Sequence, residues 1–368
     1  MKEELLHKKY LTLNFNHQLY EDEEGLSKLI YLLKKEADRN DWKLALSSFL
    51  EEWMNESVHI ELFTSGSTGS PKKIIMSKAS MIYSAQRTLE FFHLKEGDKA
   101  LLCLSVNYIA GKMMVVRALI GGLHLITSGV QSNPFVDLEE EIDFAAFVPT
   151  QALCAFERSK EKFQLVKTMI LGGAKVDKNL ADKMCQVSSK VWETYGMTET
   201  VSHIALKRVK NDVNEPFTVL NNIQISTDNR SCLVIEPSDI NPELIVTNDI
   251  VELIGANQFI LRGRFDNVIN SGGIKIFPEE LEAKLSVFIN INFVIIGLPD
   301  EKWGESVVLV LESKESIAIE NSMLDSINSY EKPKRIYCLD TFPRTESGKV
   351  KRGEIKEKIV NNINSNIA

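Results

Sequence analysis

The sequence has no pattern of paired cysteines, no hydrophobic run of membrane length and no excess of basic charge. Its five cysteines, Cys103, Cys154, Cys185, Cys232 and Cys338, are scattered, and no two have metal-ligand or redox spacing. That argues against a disulfide scaffold and points to a reduced, cytoplasmic setting. The longest apolar stretch, residues 108–127, is interrupted by Lys112, Arg117 and His124. It reads as a buried helix ended at Gly121-Gly122 and then a short strand, not as a bilayer span. Residues 1–9 mix acids and bases and lack the apolar core of a signal peptide. A formal net charge of -8 argues against a general nucleic-acid surface. Repeats and low-complexity tracts are absent. What remains is a 368-residue chain with 44% hydrophobic and 26% charged residues, ordinary for a globular protein and long enough for two domains.

What is present is a loop rich in hydroxyls and glycine: Thr64-Ser65-Gly66-Ser67-Thr68-Gly69-Ser70-Pro71-Lys72-Lys73. An apolar run, 58–63, leads in as a strand. Ser77 caps a following helix whose apolar face runs Ile82, Ala85, Leu89, Phe92. Such a loop offers backbone N–H groups, hydroxyls and cations to an anion, most plausibly phosphate. Its residue order is not that of a P-loop NTPase. Taken alone, it also fits a flexible Ser/Gly connection.

Three further segments follow: Glu193-Thr194-Tyr195-Gly196-Met197-Thr198-Glu199, Gly263-Arg264-Phe265-Asp266-Asn267-Val268-Ile269, and Pro343-Arg344-Thr345-Glu346-Ser347-Gly348-Lys349-Val350. In this order the four blocks resemble the adenylate-forming superfamily of acyl- and aryl-CoA synthetases, peptide-synthetase adenylation domains and luciferases. The matching blocks run from Thr64 to about Arg352, most of the chain.

The pattern along the chain implies an α/β fold. Leu26, Leu29, Ile30 and Leu33 mark one helix, and Leu44, Ala45, Phe49 and Trp53 a second. Short apolar runs at 99–104, 124–127, 144–148, 168–171 and 191–194 alternate with helical stretches, which predicts a mainly parallel sheet with helices on both faces. Residues 216–262 change to β alternation and predict a small antiparallel β subdomain. Beyond Arg264, a helix opened by Pro278, strands at 293–297 and 306–311 and a helix over 320–329 predict a small α+β domain. The expected division is an N-terminal AMP-binding domain over 1–264 and a mobile C-terminal lid over 265–368.

The resemblance implies a role for each block. Thr64, Ser65, Gly66, Ser67, Thr68, Gly69 and Lys72 would hold the β- and γ-phosphates of ATP. Gly172, Gly173 and Ala174 would let adenine approach, and Tyr195 would stack on it; a tight turn and plain packing are the alternatives. Glu193, Thr194 and Gly196 complete that nucleotide segment. Thr198 would meet the α-phosphate and Glu199 would bind Mg²⁺. Asp249 would accept from both ribose hydroxyls with Arg264 beside it. Relatives commonly have Gly where this chain has Asn248. Asp266 matches the hinge, Gly272 and Gly273 line the path of CoA, and Lys349 matches the catalytic lysine.

The acid partner is read from fewer residues. The run from Tyr195 to Ile204, with Thr200, Ser202 and His203 after the shared motif, looks most like the o-succinylbenzoate–CoA ligases of menaquinone synthesis. Tyr108, Lys112, Ser202 and His203 are the acyl-pocket candidates. Lys112 would meet a second carboxylate of the acid or be a surface charge. The reaction expected is acyl-adenylate formation from ATP, then thioester formation with CoA. The alternatives are another arylic or acyl acid, a carrier-protein thiol, or a nucleotide-binding protein without turnover; both Glu199 and Lys349 are present, which argues against the last.

Overall fold

The computed structural model describes residues 3–38, 41–64, 72–210, 215–236, 238–239, 241–289, 291–315, 325, 327–345 and 350–365. Ser65, Gly66, Ser67, Thr68 and Gly69 of the expected phosphate loop, and Lys349, lie outside the described residues, as does most of the helix expected over 320–329.

The chain opens with a hairpin, β1 (Leu13–Phe15) and β2 (Gln18–Tyr20), then α1 (Asp22–Glu36) and α2 (Trp42–Met54). Leu26, Leu29, Ile30 and Leu33 all face inward from α1, as their spacing predicts. In α2 the inward face is Leu46, Phe49, Leu50 and Trp53, while Leu44 is exposed. The expected stripe was therefore rotated at its first residue. Each such buried leucine or aromatic contributes about 1.5–3 kcal/mol relative to exposure.

The apolar lead-in forms β3 (His59–Thr64), and the chain returns as β4 (Lys72–Ser77) before α3 (Lys78–Phe92). β3 and β4 pair antiparallel as a separate two-stranded sheet, with Thr64 opposite Lys72. The hydroxyl-rich loop thus closes a hairpin and does not lead directly into a helix. The second strand escaped the sequence reading because only four residues separate Lys72 from the Ser77 cap. Ser77 does cap α3, accepting from the Ser80 N–H.

The parallel core comprises β5 (Lys99–Leu102), β6 (His124–Thr127), β7 (Ile142–Phe147), β8 (Val166–Leu171) and β9 (Lys190–Gly196), connected through α4 (Ile109–Gly121), α5 (Pro149–Arg158) and α6 (Lys178–Met184). Its order is β6-β5-β7-β8-β9, all neighbours parallel. The order reverses beside β5. In such sheets ligands bind outside the carboxyl ends of the strands at that reversal. The segments after β5, β7, β8 and β9 therefore border one crevice, and they carry Tyr108, Gly172 and Thr198.

Antiparallel strands extend the same sheet: β10 (His203–Arg208), β11 (Phe217–Val219), β12 (Ile225–Thr227), β13 (Cys232–Ile235), β14 (Ile245–Leu253) and β15 (Gln258–Arg264). Through the pairing of β9 with β10 they join the parallel strands in one 13-stranded sheet among the described residues. After Arg264 a different sheet begins. β16 (Ile269–Ser271), β17 (Ile274–Ile276), β18 (Phe293–Asp300), β19 (Gly304–Glu312) and β20 (Arg335–Leu339) flank α7 (Pro278–Leu285), and α8 (Arg352–Ser365) follows. This sheet has its own apolar cores, around Ile269, Leu281 and Leu309 on one face and Ile296, Phe342 and Ile355 on the other. No helix among the described residues is long and apolar enough to cross a membrane.

Candidate active site

The turn after β8 is built against β9. Gly172 donates its N–H to Phe147 O at 3.1 Å. A Cβ on Gly172 would lie 2.7 Å from the Thr194 hydroxyl, which itself donates to Leu171 O at 3.0 Å. The glycine is required there by close packing on Thr194. Glu193 is buried, accepts from the Val176 N–H at 3.2 Å and pairs with Lys207 at 3.0 Å. The side chains of Glu193 and Thr194 are therefore occupied in tying β9 to β8, β10 and the turn after β8.

Tyr195 is buried, with its ring edge-on to Phe259 and Phe217 at 5.1 and 5.9 Å between centroids. Its hydroxyl donates to Asp249 Oδ2 at 2.6 Å. Burial, then the Asp249 charge, pushes the phenol's pKa well up, so it stays a donor. Asp249 sits opposite Arg264 in the β14–β15 ladder, with Oδ1 3.6 Å from the guanidinium. Arg264 also donates to Asp266 at 3.0 Å, and Asn248 donates to both oxygens of Asp266 at 3.2–3.3 Å. The adenine, ribose and hinge candidates are thus one connected network. The Asn248 side chain extends it by accepting from Arg230 at 2.9 Å.

Thr198, Glu199 and Thr200 form a short 3₁₀ turn after β9. Glu199 is exposed, and no cation pairs with its carboxylate among the described residues. That fits Mg²⁺, which takes one or two carboxylates together with phosphate oxygens and water. The turn ends at Val201, held at φ 66 and ψ -54, with the Ser202 N–H donating to Thr200 O at 2.7 Å. This is a γ-turn of the rare strained kind, on a β-branched residue.

The acyl-side candidates separate. Tyr108 is exposed at the start of α4. Lys112 is buried, 3.3 Å from Glu52 and 4.4 Å from the Phe49 ring centre. Burial lowers its pKa and Glu52 opposes that. Lys112 joins α4 to α2, with its ammonium paired to Glu52, and is not a surface charge.

Arg117, one turn and a half further along α4, was read only as an interruption of an apolar run. It is 1% exposed, donates to Ser202 Oγ at 3.1 Å and Met114 Sδ at 3.4 Å, and its Nε has no partner. No carboxylate pairs with it among the described residues. Burial lowers its pKa to about 9, leaving it charged at neutral pH. A lone Arg within Met113-Met114-Val115-Val116-Arg117-Ala118-Leu119 was the available signal. A buried charge is costly unless paired or used.

Gly272 and Gly273 form the β16–β17 turn with φ of 60 and 82, a two-residue hairpin geometry that glycine supplies without strain. Asp266 lies in a 3₁₀ turn between the two sheets.

A parallel sheet with strand-end turns facing one crevice, an acid–arginine pair opposite a buried tyrosine and an unpaired exposed glutamate define a nucleotide-handling α/β enzyme. The family model described as AMP-binding enzyme matches residues 16–234, and the chain belongs to that family; it is an AMP-forming acyl-CoA synthetase of the adenylate-forming superfamily. The chain is 24% identical to a 2-succinylbenzoate–CoA ligase of Listeria monocytogenes, over 84% of this chain and 72% of the relative. It is likewise 24% identical to a feruloyl-CoA synthase of Amycolatopsis, over 82% of this chain and 70% of the relative. A solved acyl-CoA synthetase (AMP-forming)/AMP-acid ligase II-like protein from Dyadobacter fermentans is 35% identical with a TM-score of 0.60. That similarity covers 89% of this chain and 97% of the solved one.

Proposed function

We propose that the chain joins an aromatic dicarboxylic acid, o-succinylbenzoate in the first instance, to CoA through an acyl-adenylate, consuming ATP with Mg²⁺. The observation that carries this reading is Arg117, a fully buried guanidinium with no carboxylate partner among the described residues, hydrogen-bonded to Ser202. A second carboxylate would meet that charge and the unpartnered Nε donor, and charge-assisted pairs with guanidinium are among the stronger hydrogen bonds. Ferulate, with one carboxylate, leaves it unpaired. The 2-succinylbenzoate–CoA ligase and the feruloyl-CoA synthase above are equally identical to this chain, so it is the charge that favours the diacid.

In this reading Asp249 and Arg264 hold the ribose, Thr198 donates to the α-phosphate, and Glu199 with phosphate oxygens holds Mg²⁺. Thr64 to Lys72 receive the outer phosphates, and Lys349 supplies positive charge where it builds on phosphate and acyl oxygens. Residues 1–264 act as the large domain and 265–368 as a lid turning at Asp266, with Gly272 and Gly273 beside the thiol's path. The acid's carboxylate attacks the α-phosphorus and pyrophosphate leaves; the CoA thiolate then displaces AMP.

The test is pyrophosphate release with o-succinylbenzoate, ferulate and benzoate by the natural chain and by Arg117→Ala. A wild-type preference for the diacid that Arg117→Ala abolishes supports the reading. Equal use of all three acids by both proteins overturns it.

A further inference from the structure

His203, expected to line the acyl pocket, is buried at the start of β10, against Thr88 of α3. Its two ring nitrogens have different neighbours. Nε2 lies 3.2 Å from the Thr88 hydroxyl and Nδ1 lies 3.4 Å from the Ser202 hydroxyl. Beyond these, Thr88 donates to Ser84 O at 3.2 Å and Arg117 donates to Ser202 Oγ at 3.1 Å.

The two ends of this chain bear on its middle. A carbonyl can only accept and a guanidinium can only donate. With the Thr88 proton on Ser84 O, Nε2 supplies the proton between His203 and Thr88. A neutral ring then has a bare Nδ1, which accepts from the Ser202 hydroxyl. Ser202 has given up its proton and turns its lone pairs to Arg117. Burial, with the Arg117 charge second, holds the His203 pKa well below its ordinary value, so the ring is neutral at physiological pH.

We infer that His203 is a positioning residue that sets acid selectivity: as the Nε2–H tautomer, it orients Ser202 as an acceptor and thereby aims Arg117 at the second carboxylate of the acid. This rests on the diacid reading above. His203 touches no reacting atom. The Nε2–H tautomer keeps the Thr88 proton on Ser84 O and gives the Ser202 proton an acceptor in Nδ1; the opposite tautomer would draw the Thr88 proton to Nε2 and leave the Ser202 proton with no acceptor among the described residues.

Two measurements on the full-length protein test it. Nitrogen-15 NMR of the imidazoles, with the His203 signal assigned by its loss in His203→Asn, should show Nε2 protonated and Nδ1 bare, unchanged between roughly pH 6 and 8. A signal with Nδ1 protonated, or one titrating in that interval, overturns the inference whatever acid the enzyme uses. The second measurement is steady-state kinetics. His203→Phe keeps a flat ring but removes the acceptor, and should raise KM for the diacid about tenfold, the scale of one lost hydrogen bond. KM for ATP should not move. Asn places a carboxamide oxygen near the position of Nδ1, so His203→Asn should recover most of the loss. A soluble His203→Phe with unchanged KM for the acid, or with both KM values raised equally, overturns the inference. If His203→Phe does not fold, Thr88→Val is read the same way by NMR, where loss of the fixed tautomer is expected and its persistence counts against the proposal. A natural chain that turns over ferulate and o-succinylbenzoate alike contradicts the diacid reading, and the NMR result then stands separately.

Discussion

The Tyr195 hydroxyl donates to Asp249 at 2.6 Å although three strands lie between β9 and β14 in the sheet. Laid flat, those strands would separate the two backbones by about 19 Å, four strand spacings. The contact therefore closes only because the antiparallel end of the sheet curls over, with the Phe217 and Phe259 rings filling the inside.

Asp249→Ala should weaken ATP binding by roughly ten- to a hundredfold, the range for removing a partner from a charged hydrogen-bonded pair. It also leaves the Tyr195 hydroxyl buried without its acceptor, so a loss of about 1–3 kcal/mol of stability accompanies it. Calorimetric titration with ATP separates the two effects. Lower thermal stability with unchanged ATP affinity would make Asp249 an anchor for Tyr195 and nothing more.

The pH dependence of diacid use follows from two buried groups. The depressed pKa of His203 means no proton is taken up until well below the ordinary histidine range, and Arg117 keeps its proton until pH rises toward about 9. The ratio kcat/KM for the diacid should be flat between roughly pH 6.5 and 8, the interval where an ordinary histidine would finish titrating. An inflection there that His203→Asn removes would show that the imidazole does titrate.

Lys112 and Glu52 form a largely buried pair between α4 and α2. Glu52→Gln keeps the shape and leaves the ammonium without its carboxylate. Stability should fall by on the order of 2 kcal/mol, with KM for the acid unchanged. A raised KM for the acid without loss of stability would return Lys112 to the acyl pocket.

The proposed lid and hinge imply separable half-reactions. Lys349→Ala should slow adenylate formation about 100- to 1,000-fold, the usual cost of losing a preorganised charge-stabilising donor, and still convert supplied acyl-adenylate and CoA to thioester. Asp266→Pro fixes the backbone φ at a residue held by Arg264 and Asn248, and should slow thioester formation while sparing adenylation. Single-turnover assays of each step decide it; equal slowing of both steps by Lys349→Ala contradicts a two-orientation mechanism.

Much of the fold was legible because one periodicity dominated each segment. The runs that became β6, β7, β8 and β9 are apolar and bounded by turns, and Gly121-Gly122 stopped α4 as expected, with Gly122 at φ 63. β4 was missed because its six residues open with two lysines and leave only four positions between Lys72 and the Ser77 cap. The rotation of α2 was missed because Leu44 and Leu46 both suit an apolar stripe, and only the packing of α2 against α1 decides between them. At the site, the motifs marked where the nucleotide groups lie along the chain but not which side chains are spent on one another. Glu193 and Thr194 are bound to Lys207 and Leu171 through space, across tens of residues or from a neighbouring strand. Arg117 carried a signal, one of only two cations, with Lys112, in an otherwise apolar helix, but its meaning depended on Ser202, 85 residues away.

In the proposed function this chain activates a diacid with ATP and passes it to CoA. The most direct measurement is acid-dependent release of pyrophosphate by the natural chain with ATP, Mg²⁺ and CoA, with the thioester identified by mass. The account predicts pyrophosphate and o-succinylbenzoyl-CoA in equal amounts, with ferulate and benzoate turned over far more slowly. Pyrophosphate release with ferulate or benzoate but none with o-succinylbenzoate would contradict the diacid, and no acid-dependent release with any member of the panel would contradict the ligase for these acids.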